Sequence, residues 1–339
     1  MAKRQTSLKD LAQALNVSVS TVSRALKNHP DISPALSHKI QELAKSMKYS
    51  PNPLAMGLLR RQTRTIGVII PDIVTHFFSS VISGIEDIAS KEGYYVVVTS
   101  SSELFEKEKL CVENLVHLRV EGVIACVSRT TADYSHYDLF QEAGIPLVFI
   151  DRVCRTDEFS SVIADNTDAA REITRYFYQS GCRKISYISG PDHLNICRER
   201  LQGYMEGLQQ CKLFLAPGYS ERCEMDMESA TNAVKRLLAL KDRPDAVFGI
   251  NDMVMFAAIK EIKNQHLRIP EDISVIGFTD DFHATFIEPA LTSVVHPAFE
   301  MGQQAASLLL EQSKSETDLP VKQIKLNTHL VVRDSTKKV

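Results

Sequence analysis

The stretch NVSVSTVSRALKNHP, residues 16–30, sets a run of Ser, Thr and Val around one Arg where a helix is expected. Ser and Thr are mediocre helix formers because their hydroxyls compete for nearby backbone groups, so such a run on a helix face needs a reason. Asn16-Val17 reads as a turn and Ser18 as an N-cap, and Val22, Ala25 and Leu26 share one side of the helix at about 100° per residue. Ser20 and Arg24 then point the opposite way, with Thr21 and Ser23 on the flanks and Val19 at the exposed N-terminal end. Upstream, SLKD at residues 7–10 has capping-box spacing and runs into the apolar stripe Leu8, Leu11, Ala12 and Leu15. Downstream, Ser33-Pro34 opens a third helix with the stripe Leu36, Ile40, Leu43 and Met47. Three short helices joined by tight turns, the second with an exposed polar face, describe a helix-turn-helix domain. Its hydroxyls can bond phosphates and base edges, Arg24 can grip a guanine with two hydrogen bonds, and Val19 can touch a thymine methyl.

Charge supports this reading over a three-helix protein-interaction module. The formal net charge is -3, but residues 1–64 hold eleven Lys+Arg against three Asp+Glu, and the remainder twenty-eight against thirty-nine. A basic first segment ahead of an acidic body marks a polyanion-binding module. A chain of 339 residues with 44% hydrophobic content is long enough for two or three domains with a sizeable core. The seven Cys are an odd number with no C-x-x-C pair, which fits reduced and mostly buried thiols. No apolar segment follows the basic N-terminus, and no apolar run reaches the roughly 18 residues of a membrane span, so a soluble cytoplasmic protein is expected.

Residues 50–61, SPNPLAMGLLRR, differ from an ordinary polar linker. Asn52 caps and Pro53 starts a helix of about two turns, apolar on nearly every side and too short to be stable alone. It reads as a segment that folds when a second copy and a DNA minor groove supply contacts. From Thr65 the pattern alternates. Strands are expected over 66–70, 95–99, 123–127, 147–150, 184–189, 246–250 and 274–278. Helices are expected over 78–92, 107–118, 167–180, 197–210, 227–240, 252–264 and 299–312. Continuous apolar strands separated by helices imply parallel sheets covered on both faces, and the run is long enough for two α/β lobes. A ligand would lie at the carboxyl ends of the strands, in the crevice between lobes.

Eight blocks, in this order and spacing, resemble the lactose-repressor (LacI/GalR) family of bacterial transcription regulators: SLKDLAQALNVSVSTVSRAL, YSPNPLAMGLLR, TIGVIIPDIVTHFFSSVISGIE, VFIDR, VIADN, RERLQGY, VFGINDMV and VIGFTDDFHATFIEPALTSV. The resemblance implies an α/β protein with an N-terminal helix-turn-helix domain (1–50), a hinge helix and linker (51–63) and a two-lobed core like a type I periplasmic binding protein (64–339). The first lobe would be about 64–163 plus 295–322, and the second about 164–292 plus 323–334. It implies a homodimeric repressor that binds double-stranded operator DNA under control of a small-molecule effector, a sugar or sugar derivative, with no cofactor, metal or membrane. By motif position Val19, Ser20 and Arg24 would read bases, and Ser7, Ser18, Thr21, Ser23 and Ser33 would position phosphates. In the hinge, Leu58 would wedge between base pairs, with Asn52 and Ala55 at the groove.

The resemblance places Phe77, Phe78, Asp151, Arg200, Asn251, Thr279 and Asp280 around the interlobe cleft. Arg200 offers a donor fork to hydroxyls or a carboxylate, Asp151 and Asn251 can pair with hydroxyls, and a Phe ring can stack on a sugar face or a base. A structural ion pair for Arg200, and core packing for the two Phe, stay open as alternatives. The family's usual Gly-aromatic-Asp-Asp is here GFTDD, residues 277–281, so Thr279 stands at the first Asp position. Either Asp280 turns inward or the effector differs, for example by being acidic or phosphorylated. The loop DHLNI, residues 192–196, is expected to face the cleft with two apolar residues. A last strand is expected around 324–332, with no tetramer-forming tail after it.

Two other classes share some of these features. A secreted solute-binding protein would have the two-lobed core, but the basic first segment and the absent signal sequence argue against it. An α/β enzyme would need a nucleophile elbow, a phosphate loop, HExxH or a dinucleotide fingerprint, and none of these is in the sequence.

Overall fold

The computed structural model describes residues 6–49, 63–315, 317 and 319–339, and the chain divides into two units, Met1–Thr63 and Arg64–Val339. The hinge residues Asn52, Ala55 and Leu58 lie outside the described residues.

In the first unit α1 is Leu8–Leu15, α2 Val19–Leu26 and α3 Pro34–Ser46. Each starts on a serine. Ser7 accepts from the Asp10 amide while Asp10 accepts from the Ser7 amide, which completes the capping box. Ser18 and Ser33 accept from the amides of Thr21 and Leu36, and Pro34 sits at the first turn of α3. Helix α1 stops where Asn16 turns left-handed, at φ 52°. Leu11, Ala12, Val22, Ala25, Ile40 and Ala44 are buried together, with Leu8, Leu15, Leu36, Leu43 and Met47 packed against them. These are the apolar stripes expected from the spacing, with Ala44 added.

The second unit contains two six-stranded sheets. In the first sheet β1 (Thr65–Ile70), β2 (Tyr95–Ser100), β3 (Gly122–Ala125), β4 (Leu147–Ile150), β5 (Ser160–Ala164) and β11 (Gln323–Leu326) run in the order β11-β5-β4-β3-β1-β2, all parallel. In the second, β6 (Ile185–Ser189), β7 (Ser220–Arg222), β8 (Ala246–Gly249), β9 (Ser274–Thr279), β10 (Thr292–Val295) and β12 (His329–Val331) run β12-β10-β9-β8-β6-β7, with only β12 antiparallel. Helices α4 (His76–Lys91), α5 (Phe105–His117), α7 (Asn166–Gln179), α8 (Asn195–Gln210), α9 (Met227–Leu238), α10 (Asp252–Asn264) and α11 (Ala298–Lys314) cover the faces, and a short α6 spans Asp138–Glu142. The inner parallel strands are buried at nearly every position, as sheets covered on both sides require, while the edge strands β2, β7 and β11 are not. Helices α4 and α11 meet closely: a Cβ on Gly84 would lie 2.0 Å from the Phe299 carbonyl oxygen.

The chain passes between sheets three times, after β5, after β10 and after β11. The last passage corrects the expected lobe limits and the single strand over 324–332. Residues 323–326 pair with β5 in the first sheet, and only after Leu326 does the chain reach β10 in the second. Alternating exposure along so short a segment does not reveal a change of sheet.

Candidate functional site

On α2 the surface is sorted by the helical period. Val22 and Ala25 face the core, while Val19 is 44% exposed and Ser20 and Arg24 are exposed. The Ser18 hydroxyl lies 2.7 Å from that of Ser20 and 2.8 Å from that of Thr21, so three hydroxyls cluster at the helix N-terminus. Backbone amides and hydroxyls concentrated there suit a phosphate oxygen. Ser23 is half-buried on the flank. Arg24 is 3.8 Å from Asp31, but both side chains are more than half exposed, so this pair restrains Arg24 weakly. Ser7 and Ser33 are each engaged as caps at the start of α1 and α3.

In the second unit a cavity of about 240 Å3 opens at the carboxyl ends of the strands, between the two sheets. Of the seven expected effector residues, Phe77, Phe78, Asp151, Arg200, Asn251 and Thr279 line it. Phe77 and Phe78 come from the first turn of α4. Asp151 follows β4 with a left-handed backbone, φ 55°, which turns its carboxylate into the cavity. Asn251 caps α10, its Oδ1 accepting from the Val254 amide. Arg200 is almost fully buried. Its Nε donates to Asn166 Oδ1 at 2.9 Å, its Nη1 donates to the Ile250 carbonyl, and its burial pulls its pKa below the usual arginine range.

Asp280 is the exception. Its carboxylate is 2.6 Å from Arg333 and does not line the cavity; Asp281 does. The reason is local. Thr279 and Asp280 both have positive φ, 119° and 52°, and the turn is pinned from below by Asp252. Buried Asp252 accepts from the Ser293 hydroxyl and the Asp281 amide, both at 2.6 Å, and the Asp280 amide donates to Ser293 Oγ. Burial pushes the Asp252 carboxyl up to about 7. The inward turn of Asp280 is thus corrected: the second carboxylate at the cavity belongs to Asp281.

Sequence reasoning missed several groups. Arg152 donates to both carboxylate oxygens of Glu103 at 2.9 Å, forming one wall. From the loop after β3, Arg129 reaches across the cleft to the Glu224 carbonyl and lies 3.6 Å from Asp226, while its own carbonyl lies 2.8 Å from His193 Nε2. Asn195 bridges the lobes, donating to the Asp151 carbonyl and accepting from the Val153 amide. Of the loop 192–196 only Ile196 lines the cavity; Leu194 is buried but does not. Ile196, Ile250, Met225 and Met253 supply apolar lining. Arg152 closes the quoted block VFIDR, of which only Asp151 was assigned to the cleft; Arg129 and His296, which also line the cavity, stand outside every quoted block. Among the described residues no His/Cys/Asp/Glu cluster could hold a metal ion, and no helix is long and apolar enough to cross a membrane.

Comparison with known proteins agrees with this architecture. Residues 7–52 match the sequence profile of bacterial regulatory proteins of the lacI family, and residues 174–336 that of a periplasmic binding protein-like domain. The HTH-type transcriptional repressor CytR of Escherichia coli (strain K12) is 33% identical over 339 residues, covering 99% of this chain and 98% of its own length. Among solved structures, the lac repressor dimer bound to operator and the anti-inducer ONPF superposes with TM-score 0.85 at 26% identity, over 98% of this chain and 99% of that one. A complex of the transcriptional regulator CelR with cellobiose does so with TM-score 0.75 at 28% identity, over 98% and 100%.

Proposed function

Because the chain belongs to the lacI family of bacterial regulatory proteins and is a DNA-binding transcriptional regulator, not an enzyme, we propose that it acts as a cytoplasmic homodimeric repressor released from or held on its operator by a sugar-like effector. The observation that carries this reading is α2, which buries Val22 and Ala25 and leaves Val19, Ser20 and Arg24 outward within a strongly basic segment. In this reading those three residues read bases, and Ser7, Ser18, Thr21, Ser23 and Ser33 hold phosphates. Residues 1–50 are the DNA-binding domain, 51–63 the hinge with Asn52, Ala55 and Leu58 at the minor groove, and the rest the effector core. Phe77, Phe78, Asp151, Arg200, Asn251 and Thr279, with Asp281 in the place first given to Asp280, form the effector site. At about 240 Å3 the cavity falls just below the usual range of ligand pockets, about 300–1,000 Å3, so it suits a molecule no larger than a monosaccharide.

Effector binding would change the angle between lobes and so the affinity of the dimer for DNA. A tenfold change requires about 1.4 kcal/mol of coupling. The test has two parts. Selection from random duplex DNA should return a pseudo-palindrome, and a thermal-shift screen against sugars, sugar phosphates, sugar acids, purine bases and nucleosides should give a hit that alters affinity for that duplex. A ligand at a hundred times its Kd adds about 2.7 kcal/mol of stability. Selection that returns no preferred sequence would refute the regulator assignment for this chain.

A further inference from the structure

His296 lies on the second passage of the chain between lobes, after β10 of the second sheet and before α11, whose Met301, Ala305 and Leu309 pack in the core of the first. Its ring is buried, 5% exposed, and lines the cavity. Neither Nδ1 nor Nε2 has a hydrogen-bond partner among the described residues. Phe77 stacks on it with centroids 4.6 Å apart and planes inclined at 24°, and the Phe278 ring stands edge-on at 5.9 Å. Two aromatic neighbours fix the plane of the imidazole and leave its nitrogens without competing partners. Two unsatisfied nitrogens on one buried ring are costly and uncommon, which points to a partner that comes from outside the chain.

The geometry selects the partner. Asp151 Oδ1 is 3.7 Å from His296 Nε2, beyond hydrogen-bond distance but close enough for one small group to touch both. Burial, reinforced by the Arg200 charge, pushes the imidazole down to about 4, so at neutral pH it is an uncharged ring with one N–H and one acceptor nitrogen. The neighbouring Asp151 carboxylate favours the tautomer with its N–H on Nε2, and a group between them then accepts from the imidazole and donates to the carboxylate. A hydroxyl does both. An ammonium cannot accept, and a carboxylate or phosphate cannot donate and would face Asp151.

We propose that His296 and Asp151 together read one neutral hydroxyl of the effector, and that His296, standing on the interlobe passage, transmits this contact to the lobe angle. This rests on the reading of the cleft as the effector site and goes beyond it in assigning the hydroxyl and the residue that senses it. It also places any anionic group of the effector away from the Asp151 end.

The test uses the full chain and the His296→Leu and His296→Gln variants, with D-ribose, D-xylose, D-glucose and D-galactose and their monodeoxy analogues as probes. For the sugar that binds, one deoxy analogue should bind wild type at least tenfold more weakly. In His296→Leu the parent sugar should weaken to match, so that the same deoxy change costs nothing further. His296→Gln, which keeps one donor and one acceptor, should retain part of the discrimination and serves as the readout if the Leu variant does not fold. The response of operator affinity to that sugar should shrink in both variants. An unchanged pattern of deoxy losses in both variants overturns the assignment to His296. Failure of all four sugars to bind, with selective DNA binding intact, overturns the hydroxyl assignment and leaves the regulator reading standing.

Discussion

Arg200 sits over the face of Phe278, its guanidinium carbon 3.5 Å from the ring centroid. A buried cation in this position gains on the order of 2 kcal/mol from the ring face. The Asn166 and Ile250 acceptors then fix the rotation of the fork in its plane. The open alternative of a structural ion pair is not what holds Arg200: its direct partners are an amide, a carbonyl and a ring. The side chain is therefore oriented before any ligand arrives, which lowers the ordering cost of binding.

Arg200→Lys removes the planar stack and the fork while keeping the charge. It should lower stability by about 1–3 kcal/mol through the acceptors it leaves short. Operator affinity should stay near wild type and the effector response should be lost. Denaturant melts and an effector titration of operator binding check this. A response with the wild-type midpoint would make Arg200 a purely structural residue.

Arg24, in the last turn of α2, and Lys27, its C-cap, sit three residues apart, both exposed. Arg24→Ala should cost roughly 1–3 kcal/mol on the preferred duplex and relax the choice at one base pair. Lys27→Ala should weaken selected and random DNA alike. Binding of both variants to both duplexes, at one stated salt concentration, separates the roles. Equal losses on the two duplexes for Arg24→Ala would remove Arg24 from base readout.

Asp280 and Asp281 are adjacent and face different ways. Asp280→Asn should leave effector affinity unchanged and cost up to about 1 kcal/mol of stability, because its pair with Arg333 is only partly buried. Asp281→Asn should change effector affinity, since that side chain lines the cavity. Calorimetric titration of both variants with the effector is the check. The opposite result would restore Asp280 to the site.

The helix-turn-helix unit was legible because its information is local: three serine caps, a proline and apolar residues at helical spacing. The strands with unbroken apolar runs were legible for the same reason. β5 was not, since Ser160 and Ser161 interrupt the apolar pattern although both are buried and bonded to side chains from residues 312 and 323. The cleft was readable only where a motif marked it. His296 and Arg129 become site residues through the passage between sheets and the approach of the second lobe, and neither is encoded in short-range spacing. The orientation of Asp280 depends on a buried hydroxyl, Ser293, thirteen residues away.

Buried Asp252 and His296 pull stability in opposite directions with pH. In the folded chain Asp252 is pushed up to about 7, well above the ordinary Asp value of 3.8. Between about pH 4 and 7 the folded state therefore keeps a proton that the unfolded chain has released, and stability falls as pH rises through that window. His296, pushed down to about 4 from 6.5, does the reverse: the unfolded chain takes up a proton first, so stability rises with pH between about 4 and 6.5. Each slope approaches 1.4 kcal/mol per pH unit at most. In wild type the two largely cancel between pH 4.5 and 6.5. Asp252→Asn should uncover the histidine, with stability rising by about 1 kcal/mol per unit over that range, and His296→Gln should uncover the aspartate, with stability falling by a similar amount. Urea melts of the three proteins at pH 4.5, 5.5 and 6.5 measure this directly. Three parallel curves would mean that neither group is held away from its ordinary pKa.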